Sequence, residues 1–80
     1  IVIKNIVDFK MFQEIQALLK SFLVINSYKL EVLKGRDAYF LLSLNSSLSD
    51  FRKIINLSNN FSVIDDDLMT QQLTLEYFNN

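Results

Sequence analysis

The sequence predicts a single small domain of the α+β class, and three observations support this prediction. The chain has 80 residues, which is one domain's worth, and half of them are hydrophobic. Two stretches repeat their apolar residues every three to four positions, as amphipathic helices do. Other stretches alternate apolar and polar residues, as half-buried strands do. We therefore expect one domain over residues 1–80.

The first elements are a strand and a helix. Residues 1–6 are short and rich in β-branched side chains, which favours a strand. Asp8 stands where a helix N-cap is expected, and residues 9–22 follow it with helical periodicity. At 100° per residue, the apolar side chains fall on one side, so this helix should bury one face. That face consists of Met11, Phe12, Ile15, Leu18, Leu19 and Phe22.

A β-hairpin is predicted next. In residues 27–32 the even-numbered positions are apolar, so Val32 should share a buried face with Tyr28 and Leu30. Residues 38–44 also place their even-numbered side chains on one face. Between the two runs lies Gly35, the only glycine in the chain, which tolerates a positive φ without strain. The two runs should therefore pair as antiparallel strands.

The rest of the chain predicts a second helix and one or two strands. Ser47 begins a capping-box pattern, which indicates a helix over Leu48–Leu57. Residues 61–64 are compatible with an extra short strand, and residues 65–67, all aspartate, with a polar turn. The alternation in residues 73–77 indicates a final strand, and these last two runs are candidates to pair with each other.

The resulting order is β-α-β-β-α-β, with an extra short strand allowed near residues 61–64. Each helix has a single apolar stripe, so each should cover a sheet. Right-handed crossovers would put both helices on the same face of one antiparallel sheet. We therefore expect a ferredoxin-like fold with one open sheet face.

Several chemistries are not expected from this chain. It contains no His and no Cys, which removes disulfides, thiol nucleophiles and imidazole or thiolate metal ligands. Residues 5–8 lack both the paired cysteines of metal carriers and the Gly and Arg of a phosphate cradle. The aspartates at 65–67 lack the spacing and the glycine of a calcium loop. We expect no catalytic residue, no cofactor and no metal, hence no enzyme.

Nucleic-acid and membrane partners are not expected either. The net charge is −1 and the pI is near 5.1, which opposes phosphate binding. Tyr39 is the one aromatic residue placed where an RNA-binding sheet stacks bases. No run approaches the roughly 18 apolar residues of a membrane span. The chain begins at Ile1 without a signal-peptide pattern, so we expect any targeting segment to lie outside these 80 residues.

The open sheet face is the predicted functional surface. It should carry Val2, Tyr39, Leu41 and Phe78 among charged residues. A partly apolar open face is typical of a partner surface, although scattered exposed apolar residues are also common on monomers. An edge strand is a second route to pairing with another chain. We expect a non-catalytic interaction or assembly module that binds a protein or a second copy. The alternative is a small-molecule-binding regulatory domain that acts as a dimer.

Several landmarks span nearly the whole chain: Asp8-Phe9, Leu18-Leu19, Val24, Leu33-Lys34-Gly35-Arg36-Asp37, Leu42-Ser43-Leu44-Asn45-Ser46-Ser47-Leu48, Ile55-Asn56-Leu57 and Leu75-Glu76-Tyr77. Together they resemble the C-terminal ferredoxin-like domain of a family of uncharacterised proteobacterial envelope proteins. The resemblance implies a location in the periplasm or cell envelope and a non-enzymatic, assembly-related role. A cytoplasmic location is the alternative. The landmarks are hydrophobic spacings and turns, so the resemblance supplies no site residues.

Overall fold

A computed structural model describes residues 1–78, and residues 79 and 80 of the predicted domain lie outside the described residues. The structure confirms the α+β class and the order β-α-β-β-α-β, with one additional strand near the predicted position. The elements are β1 (Val2–Lys4), α1 (Phe9–Ser21), β2 (Ile25–Lys34), β3 (Asp37–Leu44), α2 (Leu48–Leu57), β4 (Phe61–Asp67) and β5 (Gln72–Tyr77).

The five strands form one sheet in the order β2-β3-β1-β5-β4. Neighbouring strands are antiparallel except β1 and β5, which run parallel. The sheet is therefore mixed, whereas the sequence predicted an antiparallel sheet. The additional strand causes the difference. The chain leaves α2 into the edge strand β4, turns back through a hairpin, and places β5 between β4 and β1 in the direction of β1.

Helix α1 begins at the predicted cap. The backbone N–H of Met11 donates to Asp8 Oδ1 over 2.8 Å, which satisfies one of the free donors of the first turn. Ile15 and Leu19, one turn apart, are fully buried at the centre of the stripe. The helix ends at Ser21, before a residue with extended backbone.

Helix α2 also begins at its predicted cap. The N–H of Asp50 donates to Ser47 Oγ over 3.1 Å, as in a capping box. The Asp50 carboxylate instead accepts a hydrogen bond from the Ser46 hydroxyl, so the reciprocal bond of the box is not made. Phe51 and Ile55 are fully buried. Both predicted helices are thus confirmed with their caps.

The hydrophobic core lies between the two helices and one face of the sheet. Helix α1 spans this face, because Phe12 stacks on Phe40 of β3 at 6.2 Å and Phe22 meets Phe61 of β4 at 6.2 Å. Aromatic pairs at this separation add to the area they bury. The largest fully buried side chains are Ile3, Ile15, Leu19, Phe40, Phe51, Ile55, Leu73 and Leu75.

Strand β1 is shorter than the predicted run of residues 1–6. Asn5 has a φ of 60°, in the left-handed region, so the extended backbone stops after Lys4. The N–H of Ile6 then donates to the Arg36 carbonyl over 2.8 Å, which ties the junction to the β2–β3 turn. Asparagine tolerates this conformation better than most residues, so its position here ends the strand.

A register shift in β2 overturns one prediction. Leu30 pairs with Phe40, but Val32 pairs with Tyr39, so one extra residue, Glu31, lies between them. Phe40 faces the helices, whereas Tyr39 faces the other side of the sheet. Val32 is therefore on the open face and is 41% exposed. The prediction that it shares the buried face with the preceding even-numbered residues is wrong, because the bulge resets the alternation.

The acidic run does not form the predicted turn. Residues 65–67 complete β4, and a register shift between Val63 and Asp65 resets the alternation there too. Asp66 consequently points toward α2, where it pairs with Arg52. Arg52 Nη2 donates to Asp66 Oδ1 over 3.1 Å, and Nε lies 2.8 Å from Oδ2. The ion pair fastens α2 to the edge strand.

The actual turn of the second hairpin covers residues 68–71. The N–H groups of Met69 and Thr70 donate to Asp67 Oδ1 over 3.1 and 3.4 Å. Gln71 has a φ of 55° and leads into β5. The turn follows the acidic run because the carboxylate of Asp67 satisfies its backbone donors.

Candidate interaction surface

One row of side chains crosses the whole open face, at right angles to the strands. The register pairs Val32 with Tyr39, Tyr39 with Val2, and Val2 with Thr74. At the far edge the bulged Ile64 lies next to the residue that pairs with Thr74. Directly opposed side chains stand about 4.5–5.5 Å apart, so the row is continuous. We call Val32, Tyr39, Val2, Thr74 and Ile64 the cross-sheet row.

The residues at the two ends of the cross-sheet row are exposed, whereas the residue at its centre is buried. Val32 is 41% exposed and Ile64 is 52% exposed, whereas Val2 is only 3% exposed. No helix covers Val2, and it is not part of the core cluster on the helix side. Its neighbours in the row shield it instead. A partner would therefore meet apolar surface mainly at the two ends of the row.

The structure brings three of the four predicted surface residues together. Val2 and Tyr39 are direct cross-strand neighbours, and Leu41 lies two positions further along the same face of β3. Leu41 is 58% exposed, so it adds the largest apolar surface beside the row. Phe78, 44% exposed, follows β5 and lies four positions beyond Thr74, which is about 13 Å along the strand. Phe78 is therefore separate from the row.

Charged side chains border the cross-sheet row on the side toward Phe78. Lys4 Nζ donates to Asp37 Oδ2 over 2.9 Å, and Asn5 Nδ2 donates to Glu76 Oε1 over 3.5 Å. The hydrogen bond from Lys4 lowers the pKa of Asp37, and the same bond raises the pKa of Lys4. Both groups therefore stay ionised at neutral pH and form a polar rim.

The two edge strands carry opposite charge on the open face. The register places Lys29 and Lys34 of β2 on this side, together with one acid, Glu31. On β4 it places Asp65 and Asp67, while Asp66 turns away to Arg52. The face is therefore basic at one edge and acidic at the other, and the cross-sheet row runs from one edge to the other.

The sequence does not reveal the two ends of the row. Simple alternation puts Val32 on the covered face, and only the bulge moves it. Ile64 was within the predicted extra strand, but the register of that strand was not predicted, so the side of the sheet on which Ile64 lies was not predicted either. The pairing of neighbouring strands decides both positions.

A second apolar surface lies at the junction of β1 and α1, where the sequence suggested only a helix cap. Val7, Phe9 and Leu33 are 66%, 69% and 56% exposed. They border a surface cleft of about 340 Å³ that Phe12 and Arg36 also line. We call Val7, Phe9 and Leu33 the junction patch. Its one signal in the sequence is Phe9, a large apolar residue outside the buried stripe of α1.

Acidic and hydroxyl side chains of this chain have structural roles. Asp8 and Ser47 accept hydrogen bonds at the starts of the two helices. Within residues 1–78, no group of three or more acidic side chains is arranged to hold a metal ion. In the same part of the chain, neither helix has the length and apolar character needed to cross a membrane.

No protein-family model, no curated protein and no solved structure matches this chain. The class that the structure establishes is an α+β domain with two helices on one face of a five-stranded mixed sheet. The resemblance to envelope proteins stays a prediction.

Proposed function

We propose that this domain is a non-catalytic interaction module that binds a protein through the open face of its sheet. The cross-sheet row is the observation that carries the proposal. Its two ends and the neighbouring Leu41 are each between 41% and 58% exposed, on a face that no helix covers. Apolar side chains gathered on one uncovered face are typical of partner surfaces.

The arrangement of charge supports the same function. The cross-sheet row has the polar rim with Lys4 and Asp37 along one side, and its two ends lie on edge strands of opposite charge. Protein interfaces commonly combine apolar contact surface with neighbouring charged groups. The apolar part supplies affinity, whereas the rim charges orient the partner.

The rest of the chain supports a role without catalysis. The sequence contains neither His nor Cys, and the side chains of Asp8 and Ser47 are occupied by helix caps. The resemblance to envelope proteins supports placing the module in the periplasm or cell envelope. Cell fractionation with an antibody against the domain tests that location, and recovery in the cytoplasm would contradict it.

Site-specific photo-crosslinking tests the open face as the binding surface. A photoreactive amino acid at position 41 should form covalent adducts with a protein, both in the purified sample and in the cells that make the protein. The added substitution Tyr39→Ala should reduce the yield about tenfold, because it removes the neighbouring aromatic contact. The variant Leu41→Glu should abolish binding and leave the fold intact.

The matched control is the same photoreactive residue at position 57. Leu57 is 83% exposed at the end of α2, away from the sheet face. If position 41 yields no more adduct than position 57 in either setting, the open face is not the binding surface.

A further inference from the structure

We propose that the outer edge of β2 accepts an extended peptide as an additional antiparallel strand. The peptide would place apolar side chains toward the helices and acidic side chains on the open face. This inference goes beyond the proposed function, because it assigns a second binding surface. Strand addition requires unpaired backbone groups at a sheet edge, and the side chains beside that edge supply its specificity.

The outer edge of β2 presents free backbone groups. Strands β2 and β4 are the two edges of the sheet. Ile1 and Phe40 exchange two hydrogen bonds, over 2.7 and 2.8 Å, so the backbone N–H and C=O of Phe40 point toward β1. Leu30 lies directly opposite Phe40. In an antiparallel ladder its own N–H and C=O therefore point away from β3.

The same argument extends along the strand. Tyr28 lies two positions before Leu30 with no register shift between them, so its backbone groups also point outward. Leu33 is opposite Ala38, which lies two positions from Phe40 in β3, so the backbone groups of Leu33 point outward too. Among residues 1–78, none of the three makes a backbone hydrogen bond to a loop or turn. Their donors and acceptors are therefore available to an added strand.

An apolar cleft lies beside this edge, on the side of the helices. The side chain of Leu33 is on that side, because its partner Ala38 is buried there. Leu33 lines the cleft of about 340 Å³ together with Phe9 and Phe12 of α1. Phe9 and Leu33 are largely exposed, so an apolar side chain added opposite Leu33 would bury surface of both. The added strand would thus cover part of the junction patch.

The charges along β2 select an acidic strand. Lys29 and Lys34 lie on the open-face side of β2, and Arg36 follows in the turn. All three are exposed, and none forms an ion pair among the described residues. Glu31 is the one acidic residue of β2. Lysines on an edge strand oppose pairing with a basic strand, so they favour one with acidic side chains.

The other edge strand does not suit such a segment. In β4, Asp65 and Asp67 lie on the open face, and Asp66, on the helix side, is paired with Arg52. An apolar side chain added beside Asp66 would meet this ion pair instead of an apolar cleft, and acidic side chains would meet like charges. The binding edge is therefore β2.

Titration with a synthetic peptide, followed by NMR of the isotope-labelled chain, tests strand addition. The probe is the capped peptide Glu-Val-Glu-Leu-Glu-Val-Glu. The amide signals of Tyr28, Leu30 and Leu33 should shift, with a dissociation constant of about 0.1–1 mM. The same peptide with lysine in place of glutamate should bind about tenfold more weakly or worse. If the amide signals of β2 do not shift at about 2 mM acidic peptide, the proposal is wrong.

Methylation of the peptide backbone separates strand addition from contact through side chains alone. In the antiparallel arrangement, the N–H groups of the peptide's valine and leucine residues face β2, and those of its glutamates face away. Methylating the valine and leucine nitrogens should weaken binding about tenfold or more, because it removes the donors of the new ladder. Methylating the inner glutamate nitrogens is the matched control and should change the dissociation constant less than about threefold. Equal losses would contradict strand addition, and the reverse order would contradict the antiparallel direction.

Variants of the chain separate this site from the open face. Phe9→Ser should weaken binding of the acidic peptide about fivefold, because it removes an apolar wall of the cleft. Leu57→Ser is the matched control, since Leu57 is also apolar and exposed but lies at the end of α2. Leu41→Ser, on the open face, should leave the dissociation constant unchanged. Far-UV circular dichroism checks that each variant is folded.

The two proposals can fail separately. If Leu41→Ser weakens binding of the peptide as much as Phe9→Ser does, the peptide occupies the open face, and the β2 edge is not its site. If the peptide binds as expected while position 41 crosslinks to nothing, the β2 edge is supported and the proposed function of the open face is wrong.

Discussion

The β2–β3 hairpin and the β4–β5 hairpin each supply one edge strand and one inner strand to the sheet. Both edge strands contain a register shift, and both turns contain a residue with positive φ. In the first hairpin that residue is Gly35, with a φ of 58°, and in the second it is Gln71, with a φ of 55°. Both turns thus require a positive φ, which glycine adopts without strain and glutamine adopts only with strain.

The hairpins also differ in how they join β1. The inner strand β3 runs antiparallel to β1, and the inner strand β5 runs parallel to it. Their burial is nevertheless alike, because Phe40 of β3 and Leu75 of β5 are both almost completely buried. The second hairpin, with its weak local signals, thus contributes as much to the core as the first, whose signals are strong.

The largest expected change in the free energy of unfolding comes from core substitutions, which test whether the second hairpin is part of the core. Phe40→Ala and Leu75→Ala should each lower the free energy of unfolding by about 3–4 kcal/mol, since both leave cavities between the sheet and the helices. Urea denaturation measures both, with Leu57→Ala at an exposed position as the control. A loss below about 1 kcal/mol for Leu75→Ala alone would show that β5 is only loosely attached.

A smaller effect tests the difference between the turns. A Cβ added at Gly35 meets nothing within 4 Å, so Gly35→Ala carries only the backbone cost of a positive φ, about 1 kcal/mol. Gln71→Gly should relieve the same strain and raise the free energy of unfolding by about 0.5–1 kcal/mol. Arg36→Ala, in the first turn but without a positive φ, is the control. If Gly35→Ala and Gln71→Gly changed the free energy of unfolding in the same direction, the expected difference between the two turns would be wrong.

The smallest effect concerns the ion pair that ties the first hairpin to β1. Lys4 lowers the pKa of Asp37 below its ordinary value of 3.8. The pair therefore stabilises the folded state above that pH, and its contribution is lost as the pH falls through the lowered pKa. The pKa of Lys4 is raised, so the contribution is also lost at alkaline pH, as the pH rises beyond 10.5 through that raised value.

Both side chains are partly exposed, so the contribution of the pair should be small and should shrink with added salt. Thermal unfolding of the unmodified chain and of Asp37→Asn should differ at neutral pH and converge as the pH falls through the lowered pKa of Asp37. A constant difference across this range would mean that the aspartate acts through packing rather than through its charge.

The elements that the sequence predicted best are those specified by nearby residues. Both helices begin at the predicted caps, Asp8 and Ser47, because a cap bonds a backbone donor only three positions away. The first hairpin was predicted from Gly35 for the same reason. The second turn was placed too early, because Gln71 gives no warning of its left-handed backbone and the acidic run imitates a turn.

In the candidate surface, too, the residues placed by local pattern were predicted and those placed by strand pairing were not. Tyr39 and Leu41 were assigned to the open face from the alternation within a single strand, and the structure places them there, next to Val2. Val32, at one end of the cross-sheet row, is turned outward by a bulge that no local pattern reveals, and the face of Ile64 at the other end follows from the pairing of β4 with β5. The junction patch was missed because it joins a loop, a helix start and a strand that are distant in sequence.

The α+β class, the two capped helices and the hairpin at Gly35 can be predicted from the sequence, since they follow from periodicity and from hydrogen bonds within a few residues. The tertiary structure adds that β5 lies parallel to β1, that a bulge turns Val32 outward, and that one row crosses the open face. Strand pairing is the physical reason. A ladder joins residues far apart in the chain, and a shift of one position moves a side chain to the other face of the sheet.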